Sequence, residues 1–402
     1  MTSIRIERDI ALPDALRVSR ALSTPHLGPR ILFFSGGSAL NGISRELKRY
    51  TFNSIHLITP FDSGGSSQIL RRSFNMPAVG DLRSRLMALA DETVLGQPDI
   101  FALFSHRLPA TDTGLKSEVR AMTEGKHPLV KAIGRPMRTL IQSFLQDFTD
   151  KAPVGFDYRN ASIGNLIIAG GYLGNDRALE PVLFLMSKMV DVRGTVRSVV
   201  DANLQLGVDL DDGRRIIGQR EITGKEVPPL DARITRAFLS DGTGALRPGD
   251  VTLPKRNRRM IGQADVICYP PGSLYSSVIA NLLPAGVGRA VAAQGVPKIY
   301  LPSLGADPEA LGHSLADQVQ ALVTPLRADM GADTGTNTGD NPADLPVRRF
   351  VTHVLCDLSC DPAACDVVTA RHGIPCLRLP LAGDVPGRYD PKLACEALVS
   401  VA

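Results

Sequence analysis

Three times along this chain a short, unbroken apolar run ends in a glycine turn and gives way to a segment of helical periodicity. The first run is Arg30-Ile31-Leu32-Phe33-Phe34, closed by Ser35-Gly36-Gly37-Ser38. Leu40, Ile43 and Leu47 then line one helical face, with Arg45, Glu46, Lys48 and Arg49 on the other. The second run (Ile55, Leu57, Ile58) leads through Thr59-Pro60-Phe61-Asp62-Ser63-Gly64-Gly65-Ser66-Ser67 to a helix containing Ile69 and Leu70. The third, Ala264-Asp265-Val266-Ile267-Cys268-Tyr269, leads through Pro270-Pro271-Gly272-Ser273-Leu274-Tyr275-Ser276-Ser277 to another helix. Continuous apolar runs are strands buried on both faces. Strand, turn, helix in repetition is the order of a doubly wound α/β fold with a mainly parallel sheet. In such folds ligands bind beyond the carboxyl ends of the strands, where all three turns would lie.

The turns carry the residue types that bind anions. Paired glycines let backbone N–H groups face an anion with no Cβ in the way. Ser66 and Ser67 place hydroxyls at a helix start, where the dipole favours negative charge. Asp62, at the end of its strand, is placed to hold a metal ion or accept a proton. Asp81 precedes a helix marked by Leu82, Leu86 and Leu89 and reads as its N-cap. Arg71, Arg72, Arg83 and Arg85 flank the second turn, some directed to solvent and some able to clamp phosphate. Ser162-Ile163-Gly164-Asn165 opens an apolar helix, and the Asn165 amide is either a cap or a ligand contact. Gly-Gly-Ser-Ala-Leu-Asn lacks the Gly-x-Gly-x-x-Gly order of dinucleotide sites, which argues against NAD.

The rest of the chain frames this core. Residues 1–29 read as a polar, irregular N-terminal extension, 30–326 as the core and 327–346 as a flexible linker of Gly, Asp and Asn. Residues 347–402 read as a closing αβ segment that completes the core. From about 189 to 260 the pattern turns β-rich, with Val196, Val200, Leu204, Leu206, Val208 and Leu210 on even positions and a hairpin signal at Asp212-Gly213. The apolar stretch from Tyr275 to Val296 is broken by Asn281, Pro284 and Arg289 and reads as buried helix, not a membrane span. Five of the six cysteines fall between 356 and 395 without a Cys-x-x-Cys pair, which favours reduced structural thiols over a zinc module. A net charge of +4, 5% aromatic residues and no Trp give no footprint for nucleic acid. With no signal-peptide core, a cytoplasmic location is expected, and a homo-oligomer is allowed.

Four blocks in order resemble the family that holds 2-phospho-L-lactate transferase and the gluconeogenesis factors. They are Ser35-Gly36-Gly37-Ser38; Asp62-Ser63-Gly64-Gly65-Ser66-Ser67 with Gly80-Asp81-Leu82-Arg83; Gly164-Asn165-Leu166; and Pro271-Gly272-Ser273-Leu274-Tyr275-Ser276-Ser277. The resemblance spans about residues 30–325 and implies a Rossmann-like core that takes a nucleoside diphosphate-linked small molecule of GDP or UDP type. In the transferase branch a 2-phospho-L-lactyl group passes from a guanosine diphospho-linked donor to an alcohol with Mg²⁺. In the other branch members resemble UDP-sugar-binding regulators. Carried onto this sequence, Gly36, Gly37, Ser38, Gly64, Gly65, Ser66, Ser67, Asn165, Gly272 and Ser273 would contact the nucleotide. Asp62 would be catalytic, and Asp62 with Asp81 would hold Mg²⁺. The leading expectation is a transferase of phosphorus-containing groups; the rival is the non-catalytic regulator. Three departures stand out: Ser38-Ala39 replaces a usual Thr-Gly, Ser63 stands where a second aspartate is common, and Tyr269 and Pro270 precede Pro271 where a glycine is common.

Overall fold

The computed structural model describes residues 9–402 except 94, 112, 225, 226 and 332–340. Among these residues ten strands form two sheets. They are β1 (Ile31–Ser35), β2 (Ile55–Ile58), β3 (Thr195–Ser198), β4 (Gln205–Leu210), β5 (Arg215–Ile217), β6 (Ile234–Ser240), β7 (Val266–Tyr269), β8 (Lys298–Tyr300), β9 (His353–Asp357) and β10 (Cys376–Leu379). The main sheet has seven strands in the order β10-β9-β8-β7-β1-β2-β3, and every neighbouring pair is parallel. The chain moves outward one way from β1 to β2 and β3, then returns to the other side of β1 with β7. The order therefore reverses at β1, which makes the β1/β7 boundary the topological switch point.

The apolar runs fold as their patterns require. All five residues of β1 are buried. Ile31 and Phe33 pack on one face with Ile43, Leu47 and Leu398, and Leu32 and Phe34 on the other with Leu57, Ile267 and Tyr269. Each fully buried Phe there stabilises the fold by about 1.5–3 kcal/mol relative to exposure. A second core of helices built from residues between Ile58 and Val196 packs beside β2. Among the described residues no helix is long and apolar enough to cross a membrane.

Several elements differ from the sequence pattern. The N-terminal extension is not all irregular: Ala15–Ser23 is a helix whose Asp14 cap accepts from the Leu16 and Arg17 N–H groups. It docks on the last helix, Pro391–Ser400, through Asp14 N–H to Ser400 Oγ (2.7 Å). The β-rich stretch divides. β3 joins the main sheet beside β2, and only β4, β5 and β6 form the separate antiparallel sheet. Residues 327–331 continue the Leu315–Gly331 helix, while the rest of the expected linker as far as 340 lies outside the described residues.

The stretch after the third turn is buried as expected but is not one helix. It runs as a π turn (Leu274–Val278), a 3₁₀ turn (Ile279–Leu282) and, after Pro284, a short helix (Val287–Ala292). Pro284 lacks the N–H a continuous helix needs. Asn281 is also drawn aside, its Nδ2 donating to Ser35 O (3.0 Å) at the end of β1.

Candidate functional site

The carboxyl ends of β1, β2 and β7 bring the three glycine turns to the reversal point of the sheet. After β1, Gly36 is so closely packed that a Cβ there would lie 2.6 Å from Thr59 Oγ1 and 3.2 Å from Ser277 Cα. This single position touches the turns after β2 and β7, so only glycine lets the three loops meet. Gly37 has φ +60° and donates its N–H to Asp81 Oδ2 at 2.7 Å. Ser38 and Ala39 are exposed at the tip.

After β2, Asp62 Oδ1 accepts the Gly64 N–H (3.0 Å), closing a tight turn into the Gly65–Phe74 helix. That helix has as its N-cap residue Gly64, which has no side chain of its own to cap with. Its Ser66 and Ser67 side chains are buried against the neighbouring loops. Asn165 Nδ2 donates to Ser66 Oγ (3.1 Å), and Asn165 Oδ1 accepts Arg83 Nε (2.9 Å). Gly80 sits over this group: a Cβ there would fall 2.4 Å from Ser67 Oγ and 3.2 Å from Asp62 Oδ2. Asp62, Ser66, Ser67, Gly80 and Asn165 thus form one contiguous cluster with Arg83 behind it.

Several residues take roles other than those the sequence suggested. Asp81 is not the N-cap of its helix; Val79 holds that position and Asp81 lies in the first turn, reaching across to Gly37. Asn165 is not a cap, since Ser162 holds that position, and its amide bridges Ser66 and Arg83. Arg71 is buried and holds the second loop from below, donating to Phe61 O (3.0 Å) and Asp62 O (3.1 Å). Arg72 is exposed beside a cavity of about 320 Å³ that Ser63, Gln68 and Asn203 also line. Arg85 is fully buried, with Nη2 donating to Gly37 O (3.4 Å). Burial pulls Arg85 down to about 10, and burial together with the Arg107 charge does the same to Arg83. The Asp81 charge opposes both shifts, and both arginines stay cationic at neutral pH.

The third turn already holds two of the protein's own carboxyl groups. The Leu274 N–H donates to Asp307 Oδ2 (2.7 Å), and the Tyr275 and Ser276 N–H groups donate to Glu309 Oε2 (2.9 and 2.8 Å). Gly272 N–H donates to Ser303 Oγ (3.1 Å). Burial and then the nearby Asp307 push the Glu309 carboxyl upward. Ser63, which stands where a second carboxylate is common, is tied into the small-sheet connection: Ser63 N–H donates to Gln219 Oε1 (3.0 Å), and Ser63 Oγ accepts the Arg220 N–H (2.7 Å). Gln219, Arg220, Asp307 and Glu309 carry no local signature for this role, because the loop groups they hold lie 33 or more residues away in sequence. Asp307-Pro308 marks only a helix start.

Donor chemistry bears on the expected Mg²⁺. Asp62 and Asp81 offer hard carboxylate oxygens of the type magnesium takes, usually one or two with phosphate and water completing the shell. Each carboxylate already accepts one loop N–H, and Asp62 Oδ2 is the oxygen that faces Gly80. The largely apolar cavity of about 290 Å³ between the small sheet and the Leu315–Gly331 helix lies apart from these loops, touching them, among the described residues, at Tyr275 alone.

A seven-stranded parallel sheet with glycine turns at its reversal point defines a protein of the Rossmann-like α/β class. The chain belongs to the CofD family, whose model, 2-phospho-L-lactate transferase CofD, matches residues 31–361. It is 30% identical over 312 residues to a putative gluconeogenesis factor of Nostoc sp., a match covering 77% of this chain and 54% of that protein. It is 29% identical over 295 residues to the gluconeogenesis factor of Bacillus subtilis, covering 73% and 74%. This chain therefore spans about half the length of the Nostoc relative and three quarters of the Bacillus one. A crystal structure of a UPF0052-family protein from Bacillus halodurans has the same fold (TM-score 0.64, 21% identity), covering 92% of this chain and 99% of that one.

Proposed function

We propose that this chain binds the diphosphate of a nucleotide-linked small molecule, of the nucleoside diphosphate-sugar type, at the reversal point of its sheet, and acts as a regulatory binding protein. The observation that carries this reading is the start of the Gly65–Phe74 helix at a strand end, with Gly64 as its N-cap residue and its Ser67 packed against Gly80, next in sequence to the Asp81 that holds the Gly37 turn. A helix start turns the positive end of its dipole towards an anion. Gly64, Gly65, Ser66 and Ser67 would cradle one phosphate. Ser38, with Gly36 and Gly37, would border the second. Asn165 fixes the Ser66 hydroxyl, and Gly272 and Ser273 form the far wall. Magnesium held by Asp62 and Asp81 would neutralise part of the diphosphate charge.

Two features favour binding over group transfer. Both carboxylates already brace loop N–H groups, and Ser63 supplies a bracing hydroxyl in place of a second acid. The names of the relatives, gluconeogenesis factors, point the same way. The second reading is a Mg²⁺-assisted transferase that moves a phosphate-containing group, such as 2-phospho-L-lactate, from a nucleoside diphosphate-linked donor to an alcohol. The orientation of Asp62 Oδ2 towards Gly80 and the description of the family model favour it. There the acceptor oxygen would bond to phosphorus, the phosphoanhydride bond would break with loss of nucleoside monophosphate, and the hydroxyl proton would pass to Asp62. Positioning and charge stabilisation would supply most of the catalysis.

The test is a thermal-shift panel of GDP, UDP and UDP-sugars with and without Mg²⁺, run beside an assay for nucleoside monophosphate release. Stabilisation by UDP-sugars without turnover supports the binding reading. Mg²⁺-dependent release that Asp62→Asn abolishes supports the transferase, and no response to any nucleotide rejects both.

A further inference from the structure

The fold gathers four cysteines that the sequence separates. Cys356 lies in β9, Cys360 in the turn after it, Cys365 in the Pro362–His372 helix and Cys376 in β10. The Sγ atoms of Cys356, Cys365 and Cys376 all lie within 4.8 Å of one another. Cys360 Sγ lies 3.8 Å from Cys365 Sγ. We propose that Cys356, Cys360, Cys365 and Cys376 form a tetrathiolate site for a zinc ion.

Tetrahedral zinc with Zn–S bonds of about 2.3 Å sets its sulfurs about 3.8 Å apart, the spacing already present between Cys360 and Cys365. The first three sulfurs form one triangular face. Cys360, half-buried in a turn, closes the tetrahedron by rotation of its side chain. The strand register explains the convergence. Arg378 pairs with Cys356 and Cys376 with Val354, so Cys356 and Cys376 are diagonal neighbours on one face of adjacent parallel strands. The helix between the strands then lays Cys365 over that face.

The nearby Asp357 and His372 side chains are occupied elsewhere. The Asp357 carboxylate accepts the Ser359, Leu381 and Ala382 N–H groups, each at 2.7 Å. His372 Nε2 is 2.8 Å from Ala316 O. Among the described residues the donor set is sulfur alone, which selects a soft or borderline cation such as zinc over magnesium or calcium. No Cys-x-x-Cys signature marks the site because its ligands come from two strands, a turn and a helix. Cys365 and Cys376 also lie beyond the stretch matched by the family model, so the set belongs to the C-terminal segment of this chain.

The consequence is structural. β10 is the edge strand of the main sheet, and all four of its residues are only partly buried. Zinc would pin it to β9 and to the helix between them, each bound thiol releasing its proton to solvent.

The experiment uses the full chain, purified reduced and without chelator, loaded with Zn²⁺ and, separately, with Co²⁺ under anaerobic conditions. The expected result is one zinc per chain, and for cobalt the intense visible bands of a tetrahedral thiolate site. Cys365→Ser and Cys376→Ser should each weaken zinc binding at least tenfold, and Cys395→Ser, outside the cluster, should leave it unchanged. Should the serine variants fail to fold, alkylation of the wild-type chain mapped by mass spectrometry decides. Zinc should block reaction at Cys360 and Cys376. Substoichiometric zinc, alkylation indifferent to zinc, or a chain lighter by two hydrogens with a disulfide among these cysteines would overturn the proposal.

Discussion

The Gly37 N–H and the Asp81 carboxylate meet at 2.7 Å, and this bond ties the turn after β1 to the Gly80–Leu89 helix. The two residues are 44 positions apart. Through Arg85, whose Nη2 reaches Gly37 O, the same helix also holds the other side of the turn. The first glycine turn is thus clamped on both its N–H and its C=O sides by one neighbouring helix.

Removing the acid from this clamp should loosen the whole reversal point. Asp81→Ala leaves the Gly37 N–H without its charged acceptor and Arg85 without a nearby counter-charge. A bond to a charged group contributes about 1.5–3 kcal/mol. Urea unfolding of Asp81→Ala should show a loss of about 2 kcal/mol, with Asp81→Asn losing less because its amide oxygen still accepts. Equal stability of all three chains would contradict the clamp.

Gly36→Ala should destabilise by about 1–3 kcal/mol, the usual range for overpacking. The new methyl would be forced to 2.6 Å from Thr59 Oγ1. Thr59→Ala removes that atom, so the double variant should recover part of the loss. Ser277 Cα, 3.2 Å from the same point, limits the recovery. A double-mutant cycle with no coupling would show that the turns do not touch as described.

Asp317 gives the acid response a sign. The hydrogen bond from Arg371 Nη1 (2.7 Å) is the main cause that holds this carboxyl down, to about 2 from an ordinary 3.8. Burial opposes the shift, while Ser314 and the Arg233 charge add to it. A depressed folded pKa gives stability that is present above pH 3.8 and is lost as pH falls through about 2. After solvent screening the effect is on the order of 1 kcal/mol. Melting curves of Asp317→Asn should therefore depend less on pH than wild type across that window, and parallel curves would remove Asp317 from the acid response.

The parts of the fold that read clearly from sequence are those whose cause is local. The apolar runs of β1, β2 and β7 are buried on both faces, and their glycine turns fall where strand must turn into helix. Leu206, Val208 and Leu210 alternate as a half-buried strand does, and Asp212-Gly213 makes the hairpin between β4 and β5. What could not be read was set by distant partners. Asp81 looks like a cap until Gly37 is brought beside it, and Asn165 until Ser66 and Arg83 close on it. The third turn looks like an empty anion cradle, but Asp307 and Glu309 fill it from beyond β8. β3 lies close in sequence to the small sheet yet joins the large one, because the free edge of β2 accepts a parallel strand. The cysteine spacing matches no metal module because strand register, not sequence distance, brings the sulfurs together.

Diphosphate binding at the start of the Gly65–Phe74 helix is the central claim, and position 65 tests it most directly. Gly65 is exposed, has φ +51°, and a Cβ there would meet nothing within 4 Å. Asp and Asn both tolerate that left-handed conformation, so Gly65→Asp and Gly65→Asn should fold with similar stability. They differ by one negative charge at the mouth of the proposed cradle. Calorimetric titration with a UDP-sugar and Mg²⁺ should show saturable binding by wild type, binding weakened less than tenfold in Gly65→Asn, and binding weakened well beyond tenfold in Gly65→Asp. Equal affinity of the Asp and Asn variants, or no binding by wild type, would contradict the account.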